Sequence, residues 1–419
     1  MKTVSKTVIG VDFGTQSARA VLVNTENGEI IYSCRKEYPY NSTPVPAIDC
    51  AENLPCATDY EMALYELLRN VIPEEYRKTV AGICVDATSL TMVLLAEDGR
   101  ALSELDGWSE AAHARVKLWK YHRAQEKADE ALNLARNLQE PFLGRTGGSI
   151  SCEWMLPKLL EVRDEAPEIY AKIDLAMDLC EFLTYRLTGQ LVRSIGSLSY
   201  KCLWAEDLGF PERTFLNGLR LGFYNEYCHF LRGDICKMGE MAGMLRPELS
   251  RELGLPEQIP VATGMLDGHT SLATMGAFTP GDVALIVGTS NVCTVQDEKL
   301  QELKDVCGVA RDGMVTGSCG IDTGQSSTGN MLGWFVEHMA GWQVHREAEE
   351  RKISPHQVLA GRIERPWTNK VVAVDWWSGS RNAPCDLTLR GCMSGLEMDT
   401  RTEDIYLALL QAIACGTGT

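Results

Sequence analysis

The chain opens on period-two alternation. From Thr7, "TVIGVDFG" is rich in β-branched residues, "SARAVLVN" alternates apolar with polar, and "IIYSCRKEY" is again strand-like. An Asn-Gly pair at Asn27 and Gly28 marks the turn between the second and third runs. The pattern predicts an antiparallel meander. The period then lengthens to that of a helix in "DYEMALYELLRN", from Asp59, and "VAGICVDATSLTMVLLAEDG" returns to strands. From about Trp119 to Leu187 apolar residues recur three and four apart, so this middle part is expected to be mostly helical. Within it "EIYAKIDLAMDLCEFLTYRLTGQ" reads as one helical pattern that stops at Gly189. The stretch from Leu208 to Pro260 reads as a looser loop-and-helix region. Strands alternating with helices predict an α/β fold.

One device occurs twice. "VIGVDFGTQSARAVLV", from Val8, and "DVALIVGTSNVCTV", from Asp282, each run strand, Gly-Thr-Ser-type turn, strand. No helix follows the first turn, unlike the familiar phosphate loops. Backbone N–H groups in a tight turn nevertheless point into one concavity and bind an anion. Glycine permits the close approach, and Thr and Ser hydroxyls add donors without charge. Asp12 stands at the strand end before the first turn, where a carboxylate holds Mg²⁺, usually through water. A single turn of this kind is also an ordinary hairpin. Two copies, each leading one half of the chain, point to duplicated domains whose hairpins converge on one polyphosphate in a cleft.

Charge narrows the partners. The 419 residues carry 57 acidic against 40 basic side chains, a net charge of −17, which argues against nucleic acid. The 15 cysteines are odd in number, form no C-x-x-C pair and lack histidines at zinc-ligand spacing, so reduced thiols are expected. No apolar run has the length of a signal sequence or a membrane span, and a cytoplasmic chain without membrane attachment is expected. Oligomeric state is left open, a homodimer among the possibilities.

"GVDFGTQSARAVLV", "ATGMLDGHTSLATMGA", "VGTSNVCTV", "GIDTGQSSTGNMLGWF" and "VDWWSGSRNAPCDLTLRGCMSGL" together resemble the FGGY carbohydrate kinases, and within them the ribulokinase subgroup. The likeness runs from about Thr7 to the last residue in the family's order. It implies two duplicated actin-like, ribonuclease H-like ATPase domains around a cleft. These would be a sugar-binding domain over residues 1–277 and a nucleotide-binding domain over 278–419. It also implies ATP and Mg²⁺ as cofactors and a ketopentose, ribulose first among them, as the sugar. Asp267, in "GMLDGHT", matches the catalytic base; read alone, an Asp before Gly-His is more often a turn former. Asp12 matches the metal-site aspartate. Gly14, Thr15, Gln16 and Ser17 match the first phosphate hairpin, and Gly288, Thr289 and Ser290 the second. Gly329 and Asn330 match the stretch along the nucleotide, where a plain helix N-terminus is the competing role. Trp119, Glu153, Lys201 and Asp322 fall where related kinases contact substrate. Trp119 is equally readable as core, and Glu153 and Lys201 as solvated charges.

Two departures from the pattern are visible. Ribulokinases carry an acidic residue after "LWK", where this chain has Tyr121; a neutral phenol beside the sugar would favour another substrate, such as that of a xylulokinase-like or glycerol kinase-like enzyme. The family also continues past the point where this sequence ends, at "IYLALLQAIACGTGT", with a Gly-rich turn against adenine. The second domain is therefore expected to be incomplete, which leaves room for a non-catalytic binding protein. An actin-like filament or chaperone ATPase shares the hairpins but does not explain "GMLDGHT" or "DWWSGSR".

Overall fold

The computed structural model describes residues 5–38, 54–364, 369–381, 386 and 388–418. Part of the "SRNAPCDL" stretch (382–385 and 387) lies outside the described residues. The meander forms as its alternation predicts: β1 (Thr7–Phe13), β2 (Ser17–Asn24) and β3 (Ile30–Glu37) pair antiparallel in sequence. Ile9, Val11 and Phe13 bury one face of β1. The chain crosses over through helix α1 (Ala57–Val71), whose Tyr60, Leu64, Leu67 and Leu68 pack on that face, and returns as β4 (Val80–Ala87), parallel to β1. A βαβ crossover must cover a sheet face in this way.

Helices follow: α2 (Gln125–Leu138), α3 (Met155–Glu165), α4 (Leu179–Thr188) and α5 (Ile195–Lys201). A separate apolar core around Leu156, Leu159, Phe215 and Tyr227 holds much of this insert together. The helical pattern read through "EIYAKIDLAMDLCEFLTYRLTGQ" is interrupted. Leu175–Asp178 is a fully buried strand paired antiparallel with Met92–Leu95. Asp178 then caps α4, accepting from the Leu179 N–H at 2.8 Å, while Glu181 accepts from the Asp178 N–H at 3.2 Å. This reciprocal cap starts a new helix inside an apparently continuous pattern.

The region read as loose, Leu208 to Pro260, and the residues just after it supply three further strands of the first sheet. Met241–Met244 (β5), Pro260–Ala262 (β6) and Met265–Leu266 (β7) extend the first sheet, which runs β3-β2-β1-β4-β6-β5 with β7 also against β4. They are too short to show a period. In the second half β8 (Val283–Val287), β9 (Asn291–Asp297), β10 (Gly308–Arg311) and β11 (Cys319–Gln325) form an antiparallel sheet in the order β8-β9-β11-β10. Helices α6 (Asp267–Met275), α7 (Gly329–Met339), α8 (Trp342–Arg351), α9 (Pro355–Arg362) and α10 (Thr402–Gly418) complete the chain. The last four gather a third core around Phe335, Val358, Leu359 and Leu409. Edge strand β8 leaves Val283, Leu285 and Val287 exposed. The thirteen cysteines among the described residues are free. No described helix is long and apolar enough to cross a membrane.

Candidate active site

Sheet register assembles the floor of the site. Parallel pairing of β1 with β4 sets Asp12 opposite Asp86, and β7 pairs with β4 so that Met265 lies opposite Asp86. Asp267 follows two residues later, as the first residue of α6. Three carboxylates from distant parts of the sequence thus share the C-terminal edge of parallel strands, the usual position of ligands in open α/β sheets. Burial raises the Asp86 carboxyl, and Asp12 beside it adds to the effect, to about 8. Burial likewise raises Asp267 to about 6; the Gly268 N–H, which donates to Oδ1 at 2.7 Å, opposes the rise and Asp12 adds to it. Asp86, in "GICVDATS", was not among the residues singled out from the sequence. The signal was present, since the strand-Asp-small-residue pattern repeats that of "VIGVDFGTQS".

Asp12 leads into the first hairpin. The Gly14 N–H donates to the Ser17 carbonyl at 3.1 Å, which closes the turn. Thr15 and the exposed Gln16 stand at its tip. Ser17 is buried, and its Oγ accepts from Arg35 Nε at 3.0 Å, so this side chain braces the hairpin. The second hairpin is built alike: the Gly288 N–H donates to the Ser290 carbonyl at 3.1 Å, with Gly288 and Thr289 exposed. The start of α7 sits against it. The Gly329 N–H donates to the Gly288 carbonyl at 3.0 Å and the Asn330 N–H to that of Thr289 at 3.2 Å. A Cβ on Gly329 would lie 2.5 Å from the Gly288 carbonyl oxygen, so only glycine fits there. The Asn330 carboxamide oxygen accepts from Ser327 Oγ and from the Thr328 N–H, each at 3.0 Å, and so serves as a helix-start acceptor. Helix α6 packs against the strands of the second hairpin. It begins at Asp267, and a Cβ on Gly268 would lie 3.5 Å from Val292, two residues beyond the second turn.

The wall of the cleft is made of ion pairs between the halves. Lys201 at the end of α5 reaches Asp322 on β11 at 3.2 Å, and His269 of α6 stands 3.8 Å from the same oxygen. Burial would raise the Asp322 carboxyl, but Lys201 and His269 outweigh it and hold it well below the usual range. Glu153 accepts from Arg381 at 2.7 Å, with His122 Nε2 at 3.0 Å from the same oxygen. Here too burial is outweighed, chiefly by Arg381, and the Glu153 carboxyl lies at about 2. Arg381 also lies 5.4 Å from the Trp119 ring, and Trp119 Nε1 donates to Thr15 at 3.1 Å. Trp119 therefore links this wall to the first hairpin and is not core. Glu153 and Lys201 are not solvated surface charges. Arg381 and His122 were missed from the sequence, although Arg381 ends the "DWWSGSR" stretch already marked as informative.

Tyr121 does not face the cleft. Its side chain is buried, its hydroxyl donates to Glu161 at 3.0 Å, and Lys117 Nζ lies 3.4 Å from it. The expectation that it replaces an acceptor beside the sugar is corrected: the next residue, His122, meets Glu153 instead.

Residues 7–275 match the model of the FGGY family of carbohydrate kinases, N-terminal domain, and residues 283–418 match that of the C-terminal domain. The chain belongs to the FGGY family of carbohydrate kinases. It is therefore a phosphotransferase that acts on a sugar. A ribulokinase of Halalkalibacterium halodurans is 34% identical over 423 residues, covering 99% of this chain and 75% of that protein. One from Mycolicibacterium smegmatis is 35% identical over 424 residues, covering 98% and 75%. Among solved structures, a Brucella ovis xyloylose kinase superposes with a TM-score of 0.76 at 21% identity, covering 98% of this chain and 78% of that one. Plasmodium falciparum glycerol kinase with ADP gives 0.75 at 15% identity, covering 99% and 77%. These likenesses support the two-domain sugar kinase fold that the duplicated hairpins implied. The chain spans about three quarters of the length of the relatives it matches.

Proposed function

We propose that this kinase transfers the γ-phosphoryl group of ATP to a terminal hydroxyl of a ketopentose, ribulose in the first instance, with Asp267 as the general base. The observation that carries the reading is the meeting of Asp267 with Asp12 and Asp86 at one sheet edge, directly beside the second hairpin. Phosphoryl transfer asks for one carboxylate at the attacking hydroxyl and for donors on the phosphates. In this reading Asp267 accepts the hydroxyl proton. The N–H groups and hydroxyls of Gly14, Thr15, Gln16, Ser17, Gly288, Thr289 and Ser290 surround the phosphates, and Gly329 and Asn330 border the nucleotide. Trp119, Glu153, Lys201 and Asp322, with Arg381, orient the sugar and exclude water from the reacting group.

Asp12, with Asp86 beside it, would hold Mg²⁺. Among the described residues no three His, Cys, Asp or Glu side chains form a ready cage. Mg²⁺ needs none, because one or two carboxylates, water and substrate phosphates satisfy it. Burial raises the Asp86 carboxyl and the neighbouring Asp12 adds to the rise, so a cation here would meet like charges to offset. When bound, the ion neutralises phosphate oxygens that these aspartates would otherwise repel.

The identity of both ribulokinases to this chain favours ribulose, and the burial of Tyr121 removes the sequence argument against it. We place the boundary between the sugar-binding and nucleotide-binding domains at residue 277, just after the left-handed Gly276 that ends α6. ADP release measured over a panel of ketopentoses and polyols tests the reading. Ribulose should give the highest kcat/KM, and Asp267→Asn should remove most turnover while nucleotide binding persists. Full turnover in that variant, or preference for a polyol, would sink the assignment.

A further inference from the structure

Two buried ionisable side chains outside the cleft meet at one turn. Lys158 of α3 and Asp178 at the start of α4 are both 0% exposed. Lys158 Nζ donates to three backbone carbonyls, those of Leu90 at 3.0 Å, Lys117 at 3.3 Å and Leu118 at 2.9 Å. An ammonium has three donors, and all three are used here. Asp178 accepts from the Leu90 N–H at 3.0 Å, the Thr91 N–H at 3.3 Å and Ser197 Oγ at 3.0 Å.

The turn between β4 and the strand Met92–Leu95 is thus gripped from both sides. At Leu90 Asp178 takes the N–H and Lys158 the carbonyl. Leu90 is 1% exposed and has a φ of 48°. That is the left-handed region, which a leucine keeps only where its surroundings over-determine the backbone. Lys158 and Asp178 supply that constraint.

The strained turn lies against the reacting end of the cleft. Its Thr88 N–H donates to the carbonyl of Phe13, next to Asp12, at 2.9 Å. The Ser89 N–H bonds the Asp267 carboxylate and, with the Gly268 N–H, opposes the effect of burial there. The other two carbonyls on Lys158 immediately precede Trp119, whose Nε1 donates to Thr15 of the first hairpin.

We propose that Lys158 and Asp178 are positioning residues for phosphoryl transfer: they hold Leu90 left-handed so that the Ser89 N–H orients Asp267, and Lys158 also sets Trp119. Both are too deeply buried to touch a substrate and act through the backbone they hold. The assignment rests on the reading of Asp267 as the general base.

Hydrogen exchange of the full chain, read by mass spectrometry, tests the clamp without turnover. In the parent, residues 89–91 should exchange about a hundredfold more slowly than the exposed turn at Asn27 and Gly28. Lys158→Met, neutral and of similar length, should speed exchange at 89–91 and at 117–119. Per folded molecule its kcat should fall about thirtyfold and its KM for ribulose rise about fivefold, with KM for ATP unchanged. Asp178→Asn keeps a cap for α4 but loses one acceptor on the turn; kcat should fall about tenfold with both KM values in place. Leu159→Ala removes core packing from the same helix and should lower stability while kcat per folded molecule and both KM values stay put. The proposal is overturned if 89–91 exchange as fast as the open turn, or if the Lys158 and Asp178 variants behave like Leu159→Ala. Should neither variant fold, exchange in the parent decides alone. Full turnover in Asp267→Asn, with 89–91 still protected and Lys158→Met still slow, would overturn the base and not the clamp.

Discussion

At the tips of β1 and β4, Asp12, Asp86 and Asp267 gather without an ion-pair partner among the described residues, whereas on the cleft wall Glu153 and Asp322 each face a cation from across the molecule. The floor pushes carboxyls up, to about 8 at Asp86 and about 6 at Asp267. The wall holds one down at about 2, at Glu153. Burial acts in the same direction in both places, so the sign is set by what stands opposite. An unbalanced cluster gains from an arriving cation. A balanced pair gains nothing from one but ties the two halves together at a defined separation. In one cleft the floor is suited to recruit charge and the wall to fix geometry.

The sharpest way to break the comparison is Asp267→Asn. On the proposed reading, ADP release should fall by about 10³-fold, within the range for a lost general base, with nucleotide affinity little changed. Next is the wall. Arg381→Met alone leaves a buried Glu153 without its cation and should cost about 3–5 kcal/mol in denaturant unfolding. Adding Glu153→Gln should return at least part of that loss; equal losses in the single and double variants would show that the pair is not coupled.

The pH dependence sharpens the same point. A Glu153 pKa of about 2 lies below the ordinary ~4.3, so its contribution is fully present above ~4.3. It is lost as pH falls through that value towards about 2, a total of about 3 kcal/mol. Acid unfolding of the parent chain should therefore be steeper in this window than that of Glu153→Gln. Parallel curves would count against it.

A smaller effect is expected on the floor. Asp86→Asn relieves like-charge crowding and should raise the midpoint of thermal unfolding in chelator, while reducing the further rise that Mg²⁺ with ATP produces. The smallest is Tyr121→Phe, which loses the hydrogen bond to Glu161, about 1 kcal/mol of stability, and should leave sugar preference unaltered. A changed preference would return Tyr121 to the sugar site.

How far the site was legible depended on where each residue's partner lay. The hairpin residues were readable because a turn closes on residues two or three away, as Gly14 does on Ser17 and Gly288 on Ser290. Asp86 and Arg381 were not, because each has meaning only beside a residue far off in sequence. Asp86 lies 74 positions from Asp12 and is brought to it by strand register; Arg381 lies 228 from Glu153. Tyr121 failed for a related reason: proximity to Trp119 in sequence did not place both side chains in the same space, since one meets Thr15 and the other Glu161. The strand at Leu175–Asp178 was hidden because a buried four-residue strand and a buried helical turn carry the same apolar pattern.

Local chemistry alone determined the meander, the two Gly-Thr-Ser turns, the amphipathic helices and the family to which the chain belongs. Backbone geometry and side-chain period act over a few residues, and motifs record them directly. Tertiary structure alone decided which carboxylates share a floor and which are neutralised from the opposite half. Electrostatic and hydrogen-bond energies depend on distance and burial, and those are properties of the packed chain.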